Sequence, residues 1–529
     1  MTKSKIAASR LLDVVVASAL GAVALVLYFA SMANYAFPGE SAHLMAVWRG
    51  LDIASETQYP LMGWFVRLFG VGNGLFPVLG ALGVVLFYYL TSAFLRLRME
   101  ELEGGEARQR AIASCVALAG GVVLMCSPAY REASTHLEPR LFAFVWAMLT
   151  LFVLRACSLV PTVASAVVAL AAGVMAGFGL CDSPLFLAAL PLFLAAAWVA
   201  ERRAGRAPWL AMSLFVLAFL LAAIIFALVV SEDFPEFARQ MTSAFAGYFK
   251  RDGWLFVVLF STVPFALALF SSGRSLRGAR ASLAGLLFHV ALAFVSILAI
   301  ATPLSPAELM EPYAILPVAP SAFAAFSFAY LAAFWFLQSR EIQIPDNLNG
   351  PDAFAAGIGR VTSFAFGGIL AFVAAFSTIF NLFDFEKNRG AFADRVAEKA
   401  LADLGDRKWF ITDGIIDDHL LLAAERLGKD VQLVSLKRDL DDDYLKRLGE
   451  IVKEAGLGGE RNQDLTLALT LGVLPFVQEW FTISPDVART NAVVWGAADL
   501  WYGSGINPVP EFLFFGAEQI GRASCRERV

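Results

Sequence analysis

From Leu11 to Phe383 the chain keeps returning to apolar, nearly charge-free runs of about twenty residues, and nothing constrains its folding more. About 20 helical residues cross the roughly 30 Å of a bilayer's hydrocarbon, where backbone polar groups must be paired within the segment itself. Eleven runs qualify: residues 11–33, 74–95, 111–127, 140–157, 161–180, 184–200, 209–231, 254–271, 284–303, 315–338 and 362–383. Beyond them the solvent changes. Of the 135 residues from Asp384 to Glu518, 39 are charged, against 44 of the first 383. The chain is therefore expected to divide into a membrane part, residues 1–383, and a water-soluble part, residues 384–519. The expected fold class is an α-helical polytopic membrane protein of about eleven transmembrane helices, followed by a small α/β domain.

Composition narrows the function classes. A net charge of -5 offers no basic face to a nucleic acid. Five cysteines in 529 residues are too few for a disulfide framework. Cys115, Cys126 and Cys157 lie in apolar runs and read as small hydrophobes. The loops on the side of Lys3, Lys5 and Arg10 hold Arg96, Arg98, Arg108, Arg110, Arg155, Arg202, Arg203 and Arg206, and the opposite loops hold fewer cations. Positive charge stays on the cytoplasmic side. The N-terminus is thus expected in the cytoplasm, and eleven crossings put the soluble part outside it. The first run reads as an uncleaved anchor, with no small-residue cleavage site after it. Residues 520–529 read as translated sequencing adapter, so they and Cys525 carry no weight in the fold.

The soluble part alternates strand and helix. Lys408 to Thr412 is a β-rich run ended by Asp413-Gly414, and Asp417 or Asp418 is placed to cap a helix running to Leu427. Gly428 stops that helix, Val431 to Leu436 forms a second strand, and a charged amphipathic helix from Asp441 ends at Gly456. This order predicts parallel strands in an α/β domain. No glycine-rich dinucleotide fingerprint follows the first strand.

Chemistry points to two outside loops. The first, from Asn34 to Gly70, is much longer than a simple connection needs. It holds Glu40 in a Pro38-Gly39 turn just after the first crossing, then His43 and Arg49. A carboxylate there could take a proton from an attacking hydroxyl, or be a solvated cap. The second, Tyr130 to Arg140, crowds Glu132, Glu138, His136, Arg131 and Arg140 into eleven residues. Arginine's rigid fork of donors suits phosphate, although headgroup anchoring would also explain both arginines. Asp182 lies in a short outside turn, as a helix cap or a polar contact for substrate. His289 lies inside a crossing run, as a functional group or a packed neutral ring. No His, Cys and Asp set has metal-ligand spacing, and there is no phosphate-binding glycine loop or nucleophile elbow.

Gly39-Glu40, Pro60-Leu61 and Arg67-Leu68-Phe69 resemble the first-loop motifs of the GT-C class of membrane glycosyltransferases. The likeness is to a bacterial branch whose eukaryotic relatives include a protein O-mannosyltransferase. That branch carries a W-D-C-G-E-F-like stretch followed by G-H-P-P-G-x-P-L; the preceding Asp and the H-P-P-G run are absent here. Arg131-Glu132-Ala133 resembles the stretch before the family's fourth crossing, and Ala176 to Pro184 resembles its G-L-x-L-G-N-H turn. The similarity covers roughly residues 10–200.

The resemblance implies transfer of a hexose such as mannose from a polyprenyl-phosphate carrier to a protein or glycan acceptor outside an inner membrane, in the periplasm. It implies Glu40 as general base, Glu132 or Glu138 as a second acid, and Arg131, Arg140 and His136 around the leaving phosphate, with His43, Arg49 and Asp182 as further substrate contacts. No cofactor is expected, although some relatives use a divalent metal. Two other classes compete. A transporter or flippase of lipid-linked glycan would need repeats and charges within the crossings. A non-catalytic scaffold would need no convergent acidic groups.

Overall fold

The computed structural model describes residues 3–52, 59–99, 106–230 apart from 184, 239, 318–341, 351–383, and 387–518 apart from 389, 440, 458, 498, 502–506 and 512. The expected crossings at 254–271 and 284–303, the start of 315–338, His289 and the tail from residue 520 lie outside the described residues. The chain forms two compact units. One comprises Met1–Met32 and Tyr59–Glu386, the other Ala33–Gln58 and Lys387–Val529. Residues 33–58, counted with the membrane part in the sequence, thus group with the chain from Lys387 onward.

The first unit is a helical bundle. Its elements are α1 (Lys3–Ser31), α3 (Pro60–Phe69), α4 (Leu75–Met99), α5 (Glu106–Met125), α6 (Pro128–Ala133), α7 (Pro139–Ala156), α8 (Thr162–Asp182), α9 (Leu185–Ala188), α10 (Leu190–Arg203), α11 (Trp209–Val230), α12 (Val318–Glu341) and α13 (Pro351–Phe383); α2 belongs to the other unit. Among the described residues, six helices are long and apolar enough to cross a membrane: 11–31, 75–96, 139–159, 162–182, 209–229 and 364–383. The apolar stretches 110–125 and 321–333 are shorter. The expected run 184–200 is broken instead into α9 and α10. Pro191, in the first turn of α10, has no N–H to continue a helix from α9.

Among the described residues, α8 and α11 pack backbone against backbone. Gly173 and Gly177 lie four apart on α8, and a Cβ on either would fall 2.4 or 2.5 Å from the carbonyl oxygen of Phe215 or Phe219. Small residues let membrane helices approach to backbone contact. Elsewhere the bundle buries charge in pairs. Asp13, within the first crossing, accepts from Arg96 Nη2 at 2.6 Å and from Ser114 Oγ at 2.8 Å. Glu201, 3% exposed, pairs with Arg206 at 2.8 Å and accepts from Ser165.

The second unit begins with α2 (Glu40–Trp48) and continues as α14 (Ala391–Asp403), β1 (Trp409–Thr412), α15 (Asp417–Leu427), β2 (Gln432–Ser435), α16 (Asp442–Ala455), α17 (Asn462–Leu469), α18 (Val473–Ile483), α19 (Pro485–Asn491), β3 (Ala492–Val494), β4 (Asn507–Glu511) and β5 (Phe514–Glu518). The sheet order is β2-β1-β3-β5-β4. β1 runs parallel to β2, as the strand–helix–strand order predicts; β3, parallel to β1 on its other side, and the antiparallel hairpin of β4 and β5 go beyond that reading. β4 is the edge strand, which is where Pro508 and Pro510 cost no ladder bond.

Alternation along the strands makes two cores. Trp409, Ile411 and Val434 pack with Leu448, Phe476, Trp480 and Trp501 on one face. Phe410, Leu433 and Val493 pack with Leu401, Leu420 and Ala423 on the other. A parallel strand covered on both sides is apolar at every position, and β1 is buried throughout. Gly428 and Gly456 end α15 and α16 at φ 63°, the left-handed cap that favours glycine.

Candidate functional site

Glu40 is the first residue of α2, directly after Gly39 at φ 89° and ψ -136°. That backbone suits glycine. It turns the chain sharply from Pro38 into the helix, and Glu40 stays half-buried at its start. The rest of α2 is almost wholly buried, from Ser41 and Ala42 to Trp48, as befits a helix apolar on all sides. α2 packs on α15, so residues 33–52 are a built part of the second unit.

Three polar contacts fasten it. His43 Nδ1 lies 3.2 Å from Asp418 Oδ1. Arg49 Nη1 meets Glu425 Oε2 at 2.8 Å in an exposed pair, worth little by itself. Arg438, just after β2, meets Asp52 with both terminal nitrogens, Nη1 to Oδ1 at 2.7 Å. At the loop's other end, Tyr35 Oη donates to Lys387 O at 2.9 Å and accepts from Gly390 N at 3.1 Å.

These contacts assemble a cluster that no stretch of sequence contains. Ligand atoms of His43, Asp52 and Asp418 all lie within 4.8 Å of one another. Beside them is a cavity of about 30 Å³ lined by Asp52, Asp417, Asp418, Ser435, Arg438 and Tyr444 among others. Asp417 and Asp418 sit in the first turn of α15 but make no side-chain cap to it, contrary to expectation; Asp417 instead accepts from Thr412 Oγ1 at the end of β1. Arg438 stands over the Tyr444 ring at 5.3 Å.

The electrostatics are those of a crowded acidic pocket. The hydrogen bond to Asp418 lifts the His43 pKa above its ordinary value, against burial, which lowers it. Burial raises the Asp417 pKa, and the neighbouring Asp418 charge adds to that, beyond what hydrogen bonds from Ser435 and Thr412 recover. Burial works against the Arg438 charge, but its hydrogen bond to Asp52 and the Asp52 charge outweigh this and raise its pKa.

The remaining expected residues belong to the first unit. Glu138 is the N-cap of α7, accepting from Arg140 N at 3.2 Å, with Arg140 Nε at 3.8 Å and the buried His136 Nε2 at 3.6 Å. These three therefore do converge. Glu132 is half-buried in α6, and its backbone carbonyl accepts from Thr135 Oγ1. Arg131 is 7% exposed and donates to Ser31 Oγ at 2.9 Å and Leu382 O at 3.0 Å, so its guanidinium ties the ends of α1 and α13. Asp182 accepts from the backbone N–H groups of Leu61 and Met62, each at 2.7 Å, and so caps α3 from 121 residues away. It is a cap, though of a distant helix and not of its own turn. Sequence reasoning missed Asp52, Asp418 and Arg438 as partners, because only folding brings 33–58 onto α15 and β2.

No model of a known protein family matches the chain, and no curated protein matches it.

Proposed function

We propose that the chain is a membrane glycosyltransferase of GT-C type. It moves a sugar from a polyprenyl-phosphate carrier to a protein or glycan acceptor on the extracytoplasmic side, with Glu40 as the base. One observation carries the reading. The acidic residue that the family resemblance marks begins a buried helix, set by a glycine-only backbone turn, in a first loop docked onto the soluble unit. A catalytic base must be held in place, and a merely solvated loop carboxylate needs no such support.

In this reaction the acceptor hydroxyl gives its proton to Glu40 as its oxygen attacks the anomeric carbon from the face opposite the phosphate. The bond from that carbon to the phosphate oxygen breaks, inverting the centre and releasing polyprenyl phosphate. The loop cations support an orientation with the N-terminus cytoplasmic and the second unit outside, in an inner membrane.

The test is transfer of label from polyprenyl-phosphate hexoses in membranes holding the full chain or its Glu40→Gln variant. Transfer by wild type, lost in a folded variant, supports the reading. Equal transfer removes Glu40 as base. No transfer from any donor counts against the activity and favours a scaffold that displays the second unit.

A further inference from the structure

We infer that a cavity between α4, α7, α10 and α12 holds one acyl chain of an anionic glycerophospholipid, such as phosphatidylglycerol, with the headgroup phosphate on Arg155 and Arg203. The cavity measures about 360 Å³, within the range of pockets that take small ligands. Its walls are helix faces. Ala147, Met148 and Leu151 of α7 recur at helical spacing, and Ala196 and Val199 do the same on α10. Between α4 and α12, Phe94 meets Phe326 edge to face, with ring centroids 5.2 Å apart.

The length suits a lipid from one leaflet. Along α7 the lining runs from Phe144 to Arg155, eleven steps that rise about 16 Å at 1.5 Å each. A bilayer's hydrocarbon is about 30 Å thick, so the acyl chains of one leaflet span about half of it. Where this apolar run ends, the lining turns cationic. Arg155 and Arg203 stand in the last turns of α7 and α10, and both border the cavity.

Charge decides the headgroup. No carboxylate lines the cavity, whose other polar groups are the hydroxyls of Thr91 and Ser158. The buried carboxylates Asp13 and Glu201 are held by Arg96 and Arg206. A guanidinium carries five donors. Among the described residues, that of Arg155 makes one hydrogen bond, from Nη1 to Tyr89 O at 3.3 Å. A cation within a membrane bundle calls for a counter-charge, and arginine's rigid fork fits phosphate. A zwitterionic headgroup brings a second cation to the same place, so a net-anionic lipid is favoured. The site uses neither Glu40 nor the loop before α7, so it stands apart from the transfer reaction, and its test reads binding alone.

Delipidated full-length protein in detergent is mixed with phosphatidylglycerol, phosphatidylcholine or a polyprenyl phosphate, and bound lipid is counted by native mass spectrometry. Wild type is expected to bind one phosphatidylglycerol, about tenfold or more tighter than phosphatidylcholine, because its arginines make charge-assisted bonds to the anionic headgroup. That preference should be lost in Arg155→Gln. Ala196→Trp, whose ring fills the cavity, should weaken binding of either phospholipid. Size-exclusion profiles establish which variants fold, and the comparison of lipids on wild type stands without them. Equal binding of the two phospholipids, tighter binding of the polyprenyl phosphate, or folded variants that bind as wild type does would each overturn the proposal. So would wild type that binds no lipid, which would mean that the chain itself fills the cavity.

Discussion

Arg438 holds Asp52 from 386 positions further along the chain, one guanidinium nitrogen on each carboxylate oxygen. The Asp52 side chain is only 6% exposed and that of Arg438 22%. Removing one member of so buried a pair leaves the other charge without compensation, which costs about 3 kcal/mol or more. Arg438→Ala is therefore expected to loosen residues 33–52 from the second unit. Limited trypsin digestion should then cut after Arg49 well before wild type is cut there. Arg438→Lys keeps the charge but loses the fork, and should fall between the two. Unchanged cleavage after Arg49 in Arg438→Ala would show that the pair is not what holds the loop.

Asp182 makes a separate prediction, because its two oxygens satisfy the Leu61 and Met62 amides at the start of α3. These are the donors a helix cannot pair internally. Asp182→Ala should lower stability by about 1–2 kcal/mol, the usual loss of a cap. Asp182→Asn retains one acceptor oxygen and should lose less. Thermal unfolding in detergent checks the order. Variants with wild-type stability but impaired transfer would instead return Asp182 to the role of a substrate contact.

The coarse plan of the molecule is legible because it follows from local rules. A run of twenty apolar residues predicts a crossing by length alone, and Gly428 and Gly456 mark helix ends because few other residues take φ 63°. The parallel β1–β2 pair follows from its strand–helix–strand order. The candidate site is different. His43 and Asp418 are 375 positions apart, and nothing near either one signals the other. Asp13 was likewise hidden: in sequence it is one charge in an apolar run, and only the bundle supplies Arg96, Ser114 and Tyr88 around it. The small-residue pattern of α8 was present in the sequence, but its meaning depends on α11 lying against it.

Acid should weaken the second unit through Asp394. Burial pushes its pKa up, but the nearby His419, 3.8 Å away, and Arg426, which donates at 2.8 Å, lower it overall. A carboxylate whose folded pKa lies below its unfolded one stabilises fully above the unfolded value, about 4. That contribution disappears as pH falls through the folded value. Wild type should thus be more stable than Asp394→Asn at neutral pH, and the gap should narrow below about pH 4. A gap that stays constant or widens on acidification would contradict the lowered pKa.

Two glycines in the membrane unit should respond oppositely to a side chain. A Cβ on Gly177 would sit 2.5 Å from Phe219 O and 2.9 Å from Ala222 Cβ, both on α11. Neither a backbone carbonyl nor a methyl on a packed helix can swing away, so the helices must separate along their closest stretch. Overpacking of this kind costs about 1–3 kcal/mol, and Gly177→Val should reach the upper end because it also lengthens the contact on both sides. On α13, a Cβ at Gly368 meets nothing within 4 Å. Gly368→Ala adds no clash and improves helix propensity, so its effect should be neutral to slightly stabilising. Detergent-resistance assays on the two variants, read beside wild type, compare them directly. Equal loss in both would mean that the α8–α11 approach does not limit the bundle, and that glycine matters in these helices for some reason other than close packing.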